Sequence, residues 1–175
     1  MRINFLSMEI KLAEHNQTEE IFSILCNCKH ELDKQGIFQW MDSYPTLSIV
    51  ERDIEKKYLY CAVVENRCVG VISINDEQDP KYATITWNNN IGKMLIIHRL
   101  AVDPLYQGQG IARKLMDFAE LYGINNNYSS VRLDAYSPNK RVLQFYEARG
   151  YKKRGEIFFD GRELPFFLYE KALQG

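Results

Sequence analysis

The stretch LAVDPLYQGQGIARKLMDFAE, residues 100–120, combines a strand, a turn with two glycines and an amphipathic helix. The first N–H groups of a helix have no intrahelical partner, and the helix dipole adds partial positive charge there. Gly108 and Gly110 let the backbone approach an oxyanion closely, and Arg113 and Lys114 follow with cationic side chains. The turn therefore predicts a site for a phosphate or a pyrophosphate.

The two commonest nucleotide-binding loops do not fit this turn. A P-loop ends in Gly-Lys followed by Ser or Thr, but Gly110 is followed by Ile111 and Ala112. A dinucleotide fingerprint follows the first strand and needs a third glycine, whereas this turn lies mid-chain and has Arg113 at that position. Two alternatives remain, a different phosphate ligand and a plain strand-to-helix turn that binds nothing.

The composition favours one soluble domain over residues 1–175. The chain has 46% hydrophobic and 26% charged residues and a net charge of -1, which gives no global basic field for nucleic acid or an anionic membrane. The N-terminus lacks a signal-peptide pattern, and no apolar run approaches the roughly 20 residues of a membrane span. We therefore expect a cytoplasmic protein.

The four cysteines are expected to be reduced and to bind no metal. Cys26 and Cys28 lie in a helical pattern, and two helical positions are about 200° apart around the axis, so the two thiols cannot share one ion. Cys61 and Cys68 are scattered, and the histidines are distant. The sequence therefore predicts no metal cofactor.

Hydrophobic spacing predicts seven strands and four helices in the order β-α-α-β-β-β-α-β-α-β-β. The predicted strands are Met8 to Ala13, two strands in residues 58–76 around a turn at Asn66-Arg67, Lys93 to Val102, residues 130–136, Ile157 to Phe159 and Pro165 to Lys171. The predicted helices begin at an Asn16 or Thr18 cap, near Leu47, at Ile111 and at a Ser137 cap. Residues 77–92 are polar and carry no assigned element. This order favours an α/β (α+β) fold with one mixed sheet covered by helices.

Two motifs, in order along the chain, resemble those of the GCN5-related N-acetyltransferase (GNAT) superfamily. The acetyl-CoA signature Gln/Arg-x-x-Gly-x-Gly/Ala reads QGQGIA at residues 107–112, after the lead-in LAVDP. The stretch NKRVLQFYEARGY, residues 139–151, resembles the family's Asn…Phe-Tyr-Glu helix, and the strong match covers residues 94–154. The resemblance implies a mixed, mostly antiparallel central sheet of about seven strands flanked by about four helices.

The resemblance also implies acetyl-CoA as co-substrate and assigns residues to it. Backbone groups of Leu100, Ala101 and Val102 would pair with the pantetheine arm and the acetyl carbonyl, at a splay between two parallel strands. Asn139 would contact the pantetheine, and Tyr146 would lie near the thioester sulfur. The N–H groups that would cradle the pyrophosphate belong to Gln107, Gly108, Gln109, Gly110, Ile111, Ala112 and Arg113.

Tyr146 and His98 are the predicted catalytic residues. Tyr146 is assigned as the acid that protonates the departing CoA thiolate, with packing in the core as the alternative. His98 matches a proton-relay histidine of serotonin N-acetyltransferase and is predicted to be the base, with a hydrogen-bonded core histidine as the alternative. Asp134 competes for the base role because it matches an acidic residue of ribosomal-protein N-terminal acetyltransferases, although in many members this acid is only structural.

The acceptor site in this family is built by the first two helices, their loop and the tail hairpin. Trp40 and Tyr44, in the loop GIFQWMDSYP at residues 36–45, are predicted to line it, with ordinary packing as the alternative. The predicted partner is a small-molecule amine or a protein or peptide amine, without nucleic acid or membrane, and the chain is expected to be a monomer or a homodimer. The predicted function is N-acetyl transfer by direct attack; the alternative is a non-catalytic acyl-CoA-binding or regulatory module.

Overall fold

A computed structural model describes residues 8–173 and contains, within that range, seven strands and four α-helices. The strands are β1 (Glu9–Leu12), β2 (Leu59–Val64), β3 (Arg67–Asn75), β4 (Lys93–Val102), β5 (Tyr128–Tyr136), β6 (Lys152–Ile157) and β7 (Phe166–Ala172). The helices are α1 (Thr18–Lys34), α2 (Leu47–Glu55), α3 (Ile111–Asn125) and α4 (Lys140–Ala148). Their number and chain order confirm the predicted α/β architecture.

The strands form one sheet in the order β1-β2-β3-β4-β5-β7-β6. Strands β4 and β5 pair in parallel, whereas β1-β2, β2-β3, β5-β7 and β6-β7 pair antiparallel, so the expected mixed, mostly antiparallel sheet is confirmed. The last matched pair between β4 and β5 is Ile97 and Leu133. His98 and Asp134 are therefore the first residues beyond the paired segment, and because side chains alternate along a strand, both lie on the same face.

The chain forms two compact units. The first comprises the described part of Met1–Ile74 together with Arg99–Ala119, and the second comprises Asn75–His98 together with the described part of Glu120–Gly175. The glycine turn before α3 thus belongs to the first unit, and helix α4 belongs to the second. The site residues predicted from the sequence fall in both units.

The core of the first unit is formed by α1, α2 and the strands beside them. The buried side chains of α1 recur at helical spacing and so share one face. The cluster consists of Ala13, Ile21, Ile24, Leu25, Cys28, Val50, Ile54, Leu59, Cys61, Cys68, Val71 and Ala101. Ala101 belongs to β4, so the strand that leads into the glycine turn is anchored in this core.

Gly70 in β3 brings helix α3 close to the sheet. A Cβ at this position would lie 3.1 Å from the carbonyl oxygen of Ala101 and 3.1 Å from Cγ2 of Ile111. Both distances are shorter than an ordinary van der Waals contact, so a larger residue would push the start of α3 outward. The glycine therefore determines how closely the start of α3 approaches the sheet.

The start of α1 differs from the prediction, which placed a cap at Asn16 or Thr18. The N-cap is Gln17, and Thr18 is the first helical residue, with its hydroxyl donating to the carbonyl of His15 at 2.8 Å. A 3₁₀ turn over His15–Gln17, closed by a capping box on Glu14, runs directly into the helix. The preceding turn therefore replaces a side-chain cap.

The ends of two strands were also predicted wrongly. The β2–β3 turn consists of Glu65 and Asn66, whose φ angles are 49° and 64°, and Arg67 already belongs to β3. Positive φ at both central residues suits the tight turns of two-residue hairpins. Strand β6 ends at Ile157 instead of occupying residues 157–159, because its polar, half-exposed residues pair with β7 and show no clear hydrophobic alternation.

Candidate functional site

In the first unit, the turn between β4 and α3 is built by side-chain capping and by two glycines. Asp103 Oδ1 accepts the N–H of Leu105 at 2.9 Å and caps a 3₁₀ turn over Pro104–Tyr106. Gly108 and Gly110 then have φ angles of 75° and 83°, which favour glycine. A Cβ at Gly108 would meet nothing within 4 Å, so this glycine is required by backbone conformation alone.

The N-terminus of α3 directs backbone N–H groups out of this turn. The N–H of Lys114 donates to the carbonyl of Gly110 at 3.1 Å, and this hydrogen bond closes a backbone turn at the start of the helix. The N–H groups of Ile111, Ala112 and Arg113 precede it, so they have no intrahelical acceptor. The Arg113 side chain is exposed. This donor set suits the oxygens of a phosphate group.

The carbonyl of Val102 holds the turn in place. It accepts a hydrogen bond from Gln107 Nε2 at 3.0 Å and one from the Cys28 thiol at 3.1 Å. Burial, together with the charge of Asp103, raises the pKa of Cys28 to about 12, so the thiol stays protonated and can donate. A carbonyl oxygen has two lone pairs, and both are used here, so the Val102 carbonyl serves to fix the turn.

Arg99, the first β4 residue of this unit, fixes the loop residue Tyr44. Its guanidinium pairs with Asp53, with side-chain exposures of 12% and 4%, and its Nη1 donates to the Tyr44 hydroxyl at 2.8 Å. Ser73 donates to the same Asp53 carboxylate at 2.7 Å. Tyr44 in turn lies in an edge-on contact with Trp40. The two aromatic residues predicted for the acceptor wall are thus adjacent, and a buried ion pair tethers one of them.

In the second unit, helix α4 places Asn139 and Tyr146. Asn139 is the N-cap, since its Oδ1 accepts the N–H of Val142 at 3.3 Å, so the predicted Ser137 cap is wrong. Asn139 is 4% exposed and Tyr146 is 6% exposed. The cap engages the side-chain oxygen of Asn139 and so fixes the orientation of its amide at the start of α4.

Tyr146 is a protonated phenol in an aromatic environment. Its ring contacts those of Phe145, Tyr151 and Tyr169 at centroid distances of 5.5, 5.8 and 6.3 Å. Burial raises the pKa of Tyr146 well above its usual range, and the negative charge of Asp134 raises it further. A phenol of this kind keeps its proton at neutral pH and is therefore available to donate to an anion that forms beside it.

Asp134 is a half-buried carboxyl that titrates near neutrality. Burial raises its pKa to about 6, a hydrogen bond from Tyr82 lowers it, and the charge of Asp79 raises it. The Tyr82 hydroxyl donates to Asp134 Oδ2 at 2.6 Å. A carboxyl with a pKa close to the working pH is suited to accept a proton in a reaction.

His98 is exposed, and its ring is oriented by Asn75. Asn75 Oδ1 accepts the N–H of Glu77 at 2.8 Å and also lies 2.6 Å from His98 Nε2. An amide oxygen can only accept, so Nε2 carries the proton. In the neutral ring Nδ1 is then the basic atom.

Sequence reasoning missed Tyr82, Asn75 and Arg99. Tyr82 lies in a 3₁₀ turn over Pro80–Thr84 that is capped by Asp79, within the segment to which no element was assigned. An Asp followed by Pro is a start signal for a helical turn, and this signal identifies the element. No local pattern reveals what the Tyr82 hydroxyl contacts, because Asp134 is 52 residues away along the chain.

The fold and these residues define the class of protein. The sequence model of the Acetyltransferase (GNAT) family matches residues 19–151. The chain belongs to this family.

Two curated relatives illustrate the range of the family. Streptothricin acetyltransferase of Escherichia coli is 23% identical over 91% of this chain and 83% of its own length. N-acetyltransferase 8B of Homo sapiens is 30% identical over 61% of this chain. That match covers 47% of the human protein, so this chain spans about half the length of that relative.

Solved structures share the fold. An acetyltransferase of the GNAT family from Streptococcus agalactiae 2603 superimposes with a TM-score of 0.80 at 22% identity, covering 99% of this chain and 100% of that one. A chain of the NatC complex bound to Gag peptide and CoA superimposes with a TM-score of 0.69 at 19% identity, covering 96% and 99%.

Two further observations concern residues 8–173. No helix in this range is long and apolar enough to cross a membrane. Among the same residues, no three His, Cys, Asp or Glu side chains are grouped so that they could hold a metal ion.

Proposed function

We propose that this chain is an acetyl-CoA-dependent N-acetyltransferase that acts on a primary amine by direct attack, with residues 1–175 as one catalytic domain. The observation that carries the proposal is the glycine turn before α3, where the first N–H groups of the helix, which have no intrahelical acceptor, lie beside the exposed Arg113. Membership of the Acetyltransferase (GNAT) family supports acetyl-CoA as the donor. The NatC complex, one chain of which shares the fold, is bound to CoA and supports the same choice.

Acetyl-CoA is assigned to residues in both units. In the first unit, N–H groups of residues 107–113 bind the pyrophosphate, and backbone groups of residues 100–102 bind the pantetheine arm and the acetyl carbonyl. In the second unit, the Asn139 NH₂ group binds the pantetheine, and Tyr146 lies at the sulfur. The donor types found at these positions fit a phosphate and an amide-bearing arm.

The chemistry replaces a thioester by an amide. The amine nitrogen attacks the carbonyl carbon, the C–N bond forms, the C–S bond breaks, and the sulfur leaves as thiolate. The thiolate takes the proton of Tyr146, and the second proton lost by the nitrogen as the amide forms restores the Tyr146 phenol. A backbone N–H of the β4 end stabilises the oxyanion of the tetrahedral intermediate. Because a lysine-like amine has a pKa of about 10.4, it must first lose a proton to a base.

We assign the base role to Asp134, with His98 as the second candidate. Asp134 has a pKa raised by burial to about 6, and its charge acts on Tyr146. His98 of β4 lies on the same face of the sheet as Asp134 of β5. Its side chain is exposed, however, and its Nε2 proton is engaged by Asn75. These contacts support Asp134 as the first proton acceptor.

The acceptor is a small-molecule amine or a protein or peptide amine. The adjacent rings of Trp40 and Tyr44 support a wall for such a group. The relative named streptothricin acetyltransferase and the NatC structure bound to Gag peptide support the two acceptor classes respectively. The proposal includes a cytoplasmic monomer or homodimer that uses no metal and binds neither nucleic acid nor membrane, in keeping with the net charge of -1.

Calorimetry and turnover test this proposal together. Acetyl-CoA is titrated into the protein, and a panel of small amines and peptides is assayed by release of free thiol. Binding with turnover on at least one amine is the expected result. Binding without turnover on any amine would favour a non-catalytic acyl-CoA-binding or regulatory module, and absence of binding would refute both.

A further inference from the structure

We propose that Tyr82, in the segment between β3 and β4, is a positioning residue for acetyl transfer, whose hydroxyl holds the Asp134 carboxylate just beyond the part of β5 that pairs with β4. The inference rests on the proposed function and adds to it a residue that is not part of either sequence motif. Its basis is the hydrogen bond of 2.6 Å from the Tyr82 hydroxyl to Asp134 Oδ2.

Tyr82 is itself held firmly. Its 3₁₀ turn over Pro80–Thr84 begins with Asp79, which accepts the N–H of Lys81 at 2.8 Å. Trp87 Nε1 donates to the carbonyl of Tyr82 at 3.0 Å, and the two rings lie 5.5 Å apart. Tyr82 is 3% exposed, so its hydroxyl has little freedom to turn away from the carboxylate.

The Tyr82 hydroxyl counteracts other groups that raise the pKa of Asp134. Asp79 and Tyr82 on the turn act on the Asp134 carboxyl, and its charge acts on Tyr146 of α4. The other charged or titratable groups on the neighbouring elements are Arg132 on β5, Glu170 on β7 and His98 on β4. Arg132 is engaged by Glu170 through a bond of 3.4 Å. The nearby Asp79 carboxylate opposes the ionised form of Asp134, whereas the Tyr82 hydroxyl favours it.

The direction of the effect follows from the two forms of the carboxyl. An ionised Asp134 can accept a proton from the amine, and a protonated one cannot. Burial already raises its pKa to about 6, and the Tyr82 hydrogen bond limits that rise. Loss of the hydroxyl therefore raises the pKa of Asp134, so a smaller fraction of the enzyme has the ionised carboxylate at acidic pH.

The test is the pH profile of kcat/KM for Tyr82→Phe, measured with one amine throughout, so that the titration of the amine is common to all variants. The acid limb is expected to move by about one unit toward higher pH, with the plateau largely retained. In an Asp134→Asn background, Tyr82→Phe should cause no further change in the pH profile of kcat/KM, because the carboxyl on which Tyr82 acts is absent.

Tyr151→Phe is the matched control. Its hydroxyl also donates to a carboxylate in the second unit, Glu120 Oε1 at 3.2 Å, and its ring is retained in the variant. Its acid limb should coincide with that of the parent protein. An equal displacement in both variants would mean that loss of a buried hydroxyl acts generally, and it would overturn the inference.

A measurement independent of turnover separates this inference from the proposed function. The carboxyl carbon of Asp134 is titrated by NMR in the parent protein and in Tyr82→Phe, with Asp134→Asn for assignment. A higher midpoint in Tyr82→Phe together with a displaced acid limb supports the positioning role. A higher midpoint with an unmoved limb, or an unchanged midpoint, overturns it. A parent protein without turnover on any amine refutes the proposed function, and the positioning role for acetyl transfer is refuted with it.

Discussion

Tyr146 belongs to a buried aromatic cluster and is also the proposed acid of the second unit. Packing and catalysis use different parts of the side chain, since the ring makes the contacts and the hydroxyl carries the proton. The two roles, which sequence reasoning treated as alternatives, are therefore compatible. Substitutions that keep the ring can separate them.

Tyr146→Phe is expected to lower turnover about 100-fold, since it removes the acid that protonates the thiolate. The affinity for acetyl-CoA should stay close to that of the parent protein because the ring remains. Release of free thiol measures the first quantity and calorimetry the second. Unchanged turnover at several pH values would exclude Tyr146 as the acid.

Asp134 and His98 can be distinguished by their pH profiles. The pKa of Asp134 is raised to about 6, so the rate should fall as pH drops through that value. Asp134→Asn is expected to lose this acid limb and most of the rate, and His98→Ala is expected to keep the limb. The opposite pattern, with the limb lost only in His98→Ala, would assign the base to the histidine.

At the scale of the element, the turn before α3 depends on backbone conformations that glycine favours. Gly108→Ala is expected to weaken binding of acetyl-CoA and to lower the free energy of unfolding by about 1 kcal/mol, because its φ angle is 75°. Gly36→Ala is the control, with a φ angle of 72° and equally open surroundings at the end of α1.

The two glycine variants are compared by denaturant unfolding and by calorimetry with acetyl-CoA. Similar losses of stability, with weaker binding only in Gly108→Ala, are expected. Equal affinities in the two variants would contradict a role of the turn in binding the pyrophosphate.

The elements of this fold were predictable where periodicity is local. The apolar face of α1 and the run Met94–Ile97 of β4, which is apolar on both faces, can be identified from spacing alone. The glycine motif and the Asn139 helix identified the family, and the family match confirms it. Caps were less predictable, because a 3₁₀ turn before α1 and the choice between Ser137 and Asn139 depend on local geometry.

Apart from the Asp79-Pro80 start of its 3₁₀ turn, the segment between β3 and β4 could not be predicted, because distant partners hold it in place. The N–H groups of Asn88 and Asn89 donate to Glu170 at 2.9 and 3.3 Å, across more than eighty residues of chain. The guanidinium of Arg132 stacks over Trp87 at 4.1 Å. Such contacts form only after the strands have assembled, so no short window of sequence contains them. The contact of Tyr82 with Asp134 belongs to this class.

At the scale of the whole molecule, the ion pair of Asp53 with Arg99 is expected to support global stability. Asp53→Ala should lower the free energy of unfolding by about 3–5 kcal/mol, because it leaves a buried guanidinium without its carboxylate. Glu51→Ala, at an exposed position of the same helix, should change it by less than about 0.5 kcal/mol. Urea unfolding followed by circular dichroism measures both, and equal midpoints would contradict the prediction.

The half-buried carboxyl of Asp134 makes activity and conformational stability respond to pH in opposite directions. Its pKa is about 6 in the folded protein, compared with an ordinary value of 3.8, so the folded state binds this proton more tightly than the unfolded state does. The stabilising contribution is present below the ordinary value and is lost as pH rises through about 6, which is the range in which the ionised, catalytically competent form appears. A carboxamide at this position escapes that loss, so a selection for thermal stability near neutral pH would favour Asp134→Asn and would thereby remove the proposed base.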